Sequence, residues 1–216
     1  MSASAPVLAV IAKAPVAGRV KTRLCPPCTP PQAAALARAA LEDTLAAVAA
    51  TPTHRRVLVL DGEPGDWVPE GFEVIPQRGD GLAERLADAF ATIGEPTLLV
   101  GMDTPQVTAR MLIEATALLR MDGVDAVQGN ADDGGYWAIG LQRPDPAAFA
   151  GVPMSVEHTG AAQRARLAEL GLAVADLPPL RDVDTIDDAV AVAAQAPASH
   201  FAAALRAVDD HAARAA

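Results

Sequence analysis

The chain has 216 residues, of which 51% are apolar and only 3% aromatic, so its length fits one ordinary domain with a core of small aliphatic side chains. A formal net charge of −10 argues against nucleic acid or an anionic membrane as the main partner, because either would need a basic face. No apolar run reaches the ~20 residues of a membrane helix, and no charged segment precedes the first apolar stretch. The cytoplasm is therefore the expected location.

Short apolar segments bounded by Gly, Pro or polar residues predict the strands. In chain order they are residues 7–12, 56–61, 72–76, 97–101, 125–128, 136–141 and 173–177. Amphipathic or Ala/Leu-rich segments predict the helices. They are residues 30–50, 82–93, 108–120, 160–170, 187–194 and 199–213. The first helix has a clear start signal, since Thr29 precedes Pro30 and Gln32 stands where a capping box places its second polar residue.

Strands alternate with helices along the chain, which predicts an α/β fold, a three-layer α/β/α sandwich around a mostly parallel sheet. The strand at 136–141 is expected to be antiparallel, because the loop before it is too short for a crossover helix. Without a linker or an internal repeat, the sequence predicts a single domain over residues 1–216. Residues 199–214 are expected to form a C-terminal helical appendage.

The two cysteines, Cys25 and Cys28, are spaced C-P-P-C. This spacing is compatible with a redox or zinc pair. Zinc needs four ligands, however, and the sequence has no second cysteine pair and no histidines at metal-ligand spacing. We therefore interpret them as two small residues of a Pro-rich loop, with a thioredoxin-like redox site as the alternative.

A basic loop follows the first strand, where open α/β sheets bind their ligands. It brings together the cations Lys13, Arg19, Lys21 and Arg23 in an otherwise acidic chain, and Gly18 gives the loop conformational freedom. Such side chains neutralise phosphate oxygens, which predicts a phosphate site. The loop matches neither a Walker motif nor a G-x-G-x-x-G fingerprint, and a solvated basic loop is the alternative.

Carboxylates follow two other strands. Asp103 comes directly after the strand at 97–101, a position that suits a hard cation or a cap of the next helix. Asp182 and Asp184 alternate, so in extended backbone they point to one side, where they repel each other unless a cation lies between them. Thr185 has the pattern of an N-cap for the next helix.

An acidic, glycine-containing turn joins the strands at 125–128 and 136–141. Asp132, Asp133, Gly134 and Gly135 are consistent with a tight hairpin. The same glycines would also let backbone amides approach a ligand. Both interpretations stay open from the residues alone.

The motifs together resemble a bacterial family of glycosyltransferase-A-like proteins of unassigned function. That family is similar to the phospholactate or phosphoenolpyruvate guanylyltransferases and, more distantly, to the molybdenum-cofactor guanylyltransferases. The resemblance spans roughly residues 7–190. It rests on A-K-A-P-x-x-G-R-x-K-T-R-L at 12–24, Q-R-G-x-x-L-x-x-R at 77–85, G-x-D-x-P at 101–105, D-D-G-G-Y at 132–136 and D-V-D-T-x-x-D at 182–188.

The resemblance implies the glycosyltransferase-A type of fold and a nucleotidyltransferase that moves a nucleoside monophosphate, GMP foremost. The donor would be a nucleoside triphosphate, and the acceptor a small phosphorylated or acidic compound. It implies nucleotide binding by Lys13, Ala14, Gly18, Arg19, Lys21, Arg23, Gln77, Gly79 and Leu82. It implies a Mg²⁺ or Mn²⁺ site at Asp103, Asp182 and Asp184, and an acceptor site at Asp133, Gly134, Gly135 and Tyr136. The residues expected to act in catalysis are Lys21, Arg23, Asp103 and Asp133.

Two other functions stay open at this point. One is a glycosyltransferase that uses a nucleoside-diphosphate sugar on the same metal platform, with Asp133 as base. The other is a nucleotide-binding module without catalysis. The chain also departs from the family, because residues 153–159 read P-M-S-V-E-H-T where the family carries a W-S-T-like segment on the acceptor side. A homodimer is the default expectation for an enzyme of this kind.

Overall fold

The computed structural model describes residues 5–215, with side chains described as far as Val208. Its strands are β1 (Val7–Lys13), β2 (Arg56–Asp61), β3 (Glu73–Pro76), β4 (Thr97–Gly101), β5 (Ala126–Ala131), β6 (Tyr136–Leu141) and β7 (Val174–Leu180). Its α-helices are α1 (Pro30–Ala49), α2 (Leu82–Ile93), α3 (Ala109–Leu119), α4 (Thr159–Glu169), α5 (Ile186–Gln195) and α6 (His200–Ala215).

The seven strands form one sheet in the order β3-β2-β1-β4-β6-β5-β7. Strand β1 pairs in parallel with β2 and β4, and β5 pairs in parallel with β7. Strand β6 is antiparallel to both β4 and β5, as its short preceding turn predicts. The prediction of a mostly parallel sheet is confirmed, and so is that of the antiparallel strand.

The helices begin where the sequence signals them. Thr29 and Gln32 form a reciprocal capping box at the start of α1. Thr108 accepts a hydrogen bond from the backbone of α3, and Thr185 caps α5 together with Asp188. The cap at Thr185 bears on the site, because it fixes the backbone directly after Asp182 and Asp184.

Both faces of the sheet are covered by helices, which confirms the three-layer arrangement. On one face the buried side chains of β1, β2 and β4 pack against α1 and α3. On the other face they pack against α2 and α4. None of the helices in the described part of the chain is both long and apolar enough to cross a bilayer.

A third apolar cluster joins the basic loop to the C-terminal helices. Phe201 and Leu205 of α6 are buried against α1, and Asp43 of α1 accepts hydrogen bonds from the backbone of His200 and Phe201. The first half of α6 is therefore part of the core rather than a surface appendage. Cys28 is buried in the same cluster and Cys25 packs against it, in keeping with their interpretation as small loop residues. The redox alternative stays untested.

Candidate nucleotide and metal site

A cleft of about 1060 Å³ opens at the carboxyl ends of the parallel strands. The segments after β1, β3, β4 and β7 line it, together with the turn between β5 and β6 and residues 154–159. This is the position in which open α/β sheets bind ligands. The polar clusters that are far apart in the sequence meet here.

Most of the predicted site residues line the cleft. They are Lys13, Arg19, Lys21, Arg23, Gln77, Leu82, Asp103, Asp133, Gly135, Tyr136, Asp182 and Asp184. Four others do not: Ala14, Gly18, Gly79 and Gly134. Gly18 and Gly79 have positive φ angles of 77° and 126°, so both shape the backbone of the lining segments.

Lys21 is the most enclosed cation of the cleft, with a side chain only 8% exposed. Its Nζ lies 2.8 Å from Asp103 Oδ1 and 3.4 Å from Asp184 Oδ1, and it donates a hydrogen bond to the backbone oxygen of Val183. Burial lowers the pKa of the ammonium, but attraction to Asp103, Asp184 and Asp182 outweighs burial and raises it overall. Lys21 is therefore charged at neutral pH.

A short 3-10 helix, Thr22–Leu24, anchors the loop that carries these cations. Leu24 is fully buried in the third apolar cluster, which fixes the backbone on either side of it. Arg23 Nη1 lies 2.7 Å from Asp184 Oδ2, yet the Arg23 side chain is 74% exposed. Arg23 can therefore leave Asp184 for a phosphate oxygen at little cost.

Three carboxylates, those of Asp133, Asp182 and Asp184, come close enough to share one metal ion. One oxygen from each lies within 4.8 Å of the others. Burial and repulsion by Asp133 and Asp184 raise the pKa of Asp182 to about 6. Oxygen ligands that repel one another are the donor set that a hard cation such as Mg²⁺ or Mn²⁺ stabilises. These residues thus fit a divalent ion.

The geometry of Asp103 differs from that of the other two predicted ligands. Its carboxylate contacts Lys21, while its backbone oxygen accepts a hydrogen bond from Val183 N at 2.9 Å. That backbone contact ties the end of β4 to the segment that carries Asp182 and Asp184. In the described part of the chain, Asp133 rather than Asp103 completes the cluster of three.

Gln77 and Leu82, predicted near the base and ribose, have different surroundings. Gln77 Nε2 donates to the backbone oxygens of Ala12 and Val59 at 2.7 and 3.1 Å, so its amide group ties β3 to β1 and β2. Arg85 Nη1 donates a hydrogen bond to Gln77 Oε1 at 3.2 Å. Leu82, by contrast, is 40% exposed and offers an apolar surface to the cleft.

The turn between β5 and β6 is held by its own residues and by the segment before α4. Asp133 Oδ1 accepts a hydrogen bond from Gly135 N at 2.7 Å, which orients the carboxylate. A Cβ on Gly134 would lie only 1.7 Å from the backbone oxygen of Glu157, so only glycine permits this approach. Tyr136 is held through its hydroxyl, which lies 3.3 Å from Gln163 Oε1.

Sequence reasoning did not name several residues that line the cleft as site residues, among them Arg85, Thr104, Met154, Val156 and Glu157. The second Arg of Q-R-G-x-x-L-x-x-R was a signal for Arg85, and Thr104 lies inside G-x-D-x-P. Residues 153–159 were expected on the acceptor side, but their departure from the W-S-T-like segment marked no single residue there. The structure places Glu157 of this segment against Gly134, far from it in sequence.

A family model described as an uncharacterized protein conserved in bacteria (DUF2064) matches residues 35–156. The chain belongs to this family. The matched region of this DUF2064 chain contains Asp103 and Asp133, whereas the basic loop and Asp184 lie outside it. No curated protein matches the chain.

Among solved structures, the DUF2064 chain is similar to a candidate nucleotide-diphospho-sugar transferase from Desulfovibrio desulfuricans G20. The identity is 26%, the TM-score 0.85, and the match covers 96% of each chain. The predicted glycosyltransferase-A type of fold is thereby confirmed.

Two more distant structures share the fold alone. One is 2-C-methyl-D-erythritol 4-phosphate cytidylyltransferase from Thermus thermophilus, at 17% identity and TM-score 0.54, covering 90% of this chain and 99% of the other. The other is Rv0371c from Mycobacterium tuberculosis H37Rv in complex with manganese, at 20% identity and TM-score 0.50, covering 88% and 98%.

Proposed function

We propose that this chain is a metal-dependent nucleotidyltransferase. It would transfer a nucleoside monophosphate, GMP foremost, from a nucleoside triphosphate to a small acceptor, with release of pyrophosphate. The observation that carries the proposal is the meeting of one basic loop and one carboxylate cluster in a single cleft. Lys21 and Arg23 reach Asp184, so phosphate ligands and metal ligands are adjacent.

The basic loop would bind the triphosphate. Lys13, Arg19, Lys21 and Arg23 together offer four positive charges, more than a diphosphate needs. Lys21 is already ordered by its ion pairs, so it would hold charge at a fixed place without reorganisation. Leu82 offers an apolar surface for the base or ribose, and Gln77 and Arg85 support the segment that presents it.

The carboxylate cluster would hold Mg²⁺ or Mn²⁺ through Asp133, Asp182 and Asp184, with Asp103 as a further predicted ligand. When bound, the ion would neutralise charge on the phosphate oxygens. Asp103 and Asp184 would also keep Lys21 in place and charged. The rate of such a reaction would depend on the positioning of the substrates and on electrostatic stabilisation, and not on covalent chemistry by side chains.

A glycosyltransferase that uses a nucleoside-diphosphate sugar is the second candidate. It is favoured by the likeness, over 96% of the chain, to a candidate nucleotide-diphospho-sugar transferase. In that reaction Asp103, with Asp182 and Asp184, would hold the metal at a diphosphate, and Asp133 would instead accept the proton of the acceptor hydroxyl. The cytoplasmic location, the single-domain organisation and the homodimer stay predictions under either reaction.

The two candidates release different products. We would assay pyrophosphate release from each of the four nucleoside triphosphates with Mg²⁺ and a panel of small acceptors. Nucleoside diphosphate release from a panel of nucleotide sugars would be measured with the same acceptors. The proposal predicts pyrophosphate release that is lost in Asp103→Ala by a factor of about 10² to 10³, the loss typical of one strong electrostatic group. Release of nucleoside diphosphate from a sugar donor, with no triphosphate turnover, would establish the glycosyltransferase instead.

A further inference from the structure

The positive side chains of the cleft all come from the basic loop and from α2. They are Lys13, Arg19, Lys21, Arg23 and Arg85. The remaining lining, from the turn between β5 and β6 and from the segment before α4, has a different character. We call it the acceptor wall and define it by Asp133, Gly135, Tyr136, Met154, Ser155, Val156 and Glu157.

The acceptor wall carries negative charge only. Asp133 and Glu157 are acidic, and no Lys, Arg or His among the described residues lines this part of the cleft. A nearby cation, Arg181, is already engaged. It lies 3.3 Å from a carboxylate oxygen of Asp132 and 3.3 Å from one of Asp188. Apart from a metal ion shared with Asp133, a phosphate or carboxylate placed here would find no cationic partner, and Glu157 would repel it.

Apart from Gly135 and Ser155, the rest of the acceptor wall is apolar. The Tyr136 hydroxyl lies against Gln163 and Met154 Sδ, 3.3 and 3.8 Å away, so the ring is the part of Tyr136 left for the cleft. Val156 is 41% exposed, although the cleft surrounds it. An exposed aliphatic side chain beside a ring favours a ligand with an apolar part.

We propose that the acceptor is an uncharged alcohol with an apolar part, bound against the acceptor wall. This inference rests on the proposed function and departs from the phosphorylated or acidic acceptor that the resemblance implies. The acceptor hydroxyl oxygen forms a bond to the α-phosphorus of the nucleotide. The bond from that phosphorus to the bridging oxygen breaks, pyrophosphate leaves with the electron pair, and the hydroxyl proton is released to solvent.

The charge of the acceptor can be tested before its identity is known. A small-molecule extract of bacterial cells is separated on an anion exchanger into an unretained fraction and a retained, anionic fraction. Each is incubated with the wild-type protein, the four nucleoside triphosphates and Mg²⁺, and pyrophosphate and new nucleotide products are measured. We expect acceptor-dependent release to be clearly faster with the unretained fraction than with the retained one.

A variant with a cation on the acceptor wall provides the second measurement. Val156→Lys should raise the ratio of turnover with the retained fraction to turnover with the unretained fraction by about fivefold. One added ion pair in a partly solvated site gives an effect of about this size. Val190→Lys is the matched control. Val190 is exposed on α5 and does not line the cleft, so the same substitution there should change neither rate.

The outcomes separate the two proposals. Release that is equal with the two fractions, or faster with the retained one, would overturn the uncharged acceptor while leaving the nucleotidyltransferase intact. If Val156→Lys and Val190→Lys changed turnover with the retained fraction equally, the acceptor would not bind against the acceptor wall. No release with either fraction, from protein whose thermal stability still rises with triphosphate and Mg²⁺, would overturn the transfer reaction and this inference together.

Discussion

Lys21 lies in the left-handed region of backbone space, with φ 47°, and its ammonium is enclosed by groups from two other strand ends. A non-glycine residue seldom adopts this conformation unless its surroundings compensate for the cost. The compensation comes from Asp103, Asp184 and the backbone oxygen of Val183. Lys21 therefore links the basic loop to both acidic segments.

Replacing Lys21 by Met should impair both stability and turnover. Asp103 would lose its cation, and because Asp103 and Asp184 are 42% and 31% exposed we expect a loss of only about 1–3 kcal/mol in the free energy of unfolding. Pyrophosphate release should fall by about 10²-fold or more. Arg23→Met is the control. Because Arg23 is exposed, this substitution should lower the free energy of unfolding by less than about 0.5 kcal/mol. Urea denaturation that ranks the two variants in the opposite order would refute this role.

Asp182 gives a prediction about pH. Its pKa is raised to about 6 in the folded protein against 3.8 for an ordinary aspartate, so its negative charge opposes folding above pH 6. This penalty disappears as the pH falls through 6 towards 4. One pKa unit is worth about 1.4 kcal/mol, and partial exposure reduces the effect. Asp182→Asn should therefore stabilise the metal-free protein by about 1–2 kcal/mol at pH 7.5 and by little near pH 4.

The control for this prediction is Asp122→Asn, because Asp122 lies in an exposed turn. It should leave the free energy of unfolding unchanged at both pH values. Saturating Mg²⁺ should reverse the ranking at pH 7.5, since the ion stabilises only a protein that retains its carboxylates. Unfolding curves of Asp182→Asn that coincide with the wild type at pH 7.5 without metal would contradict the repulsion between the three carboxylates.

The turn between β5 and β6 joins the carboxylate cluster to the acceptor wall. Gly134 N donates to Ala131 O, and Gly134 O accepts from Gly160 N at 2.8 Å, so the turn is fixed to the start of α4. Gly134 has a φ of 88° and lies close to the backbone of Glu157, and both features require glycine. Asp133, the residue before it, depends on this element for its position.

Gly134→Ala should destabilise the protein and move residues 154–157 away from the cleft. Gly151→Ala is a matched control, because Gly151 has a similar φ of 78° but no atom would lie within 4 Å of the added Cβ. The control should cost about 1 kcal/mol from backbone strain alone. Gly134→Ala should lower the free energy of unfolding by a further ~1–3 kcal/mol, because the added Cβ overpacks against Glu157. Equal urea midpoints for the two variants would show that the contact with Glu157 is not tight.

Several elements could be predicted from the sequence to the residue. Strands β2, β4 and β6 and helix α2 have the predicted bounds, because each is an apolar or amphipathic segment ended by turn residues. Strands β5 and β7 are longer than predicted. Their last residues, such as Asn130 and Pro178, are not apolar strand formers and belong to the sheet only because neighbouring strands extend that far. Tertiary pairing overrides local preference there.

At the scale of the whole molecule, ligands bind at the carboxyl ends of parallel strands, and this rule was enough to predict that the polar clusters meet in one cleft. The rule could not predict which side chain contacts which. Lys21 turns to Asp103, and Asp133 joins Asp182 and Asp184, through contacts between residues far apart in sequence. Likewise, the side-chain amide of Gln77 donates a hydrogen bond to the backbone of β1 and does not point to a ligand, which its motif alone did not indicate.

The proposed function requires the cleft to bind a nucleoside triphosphate together with a divalent cation. Calorimetric titration of the protein with each of the four nucleoside triphosphates, with and without Mg²⁺, measures this binding. We predict that one triphosphate binds at least about tenfold more tightly with Mg²⁺ than without it. Asp182→Asn combined with Asp184→Asn should abolish that gain, while Asp122→Asn retains it. Absence of triphosphate binding, or binding that ignores both Mg²⁺ and the two carboxylates, would contradict the proposed function.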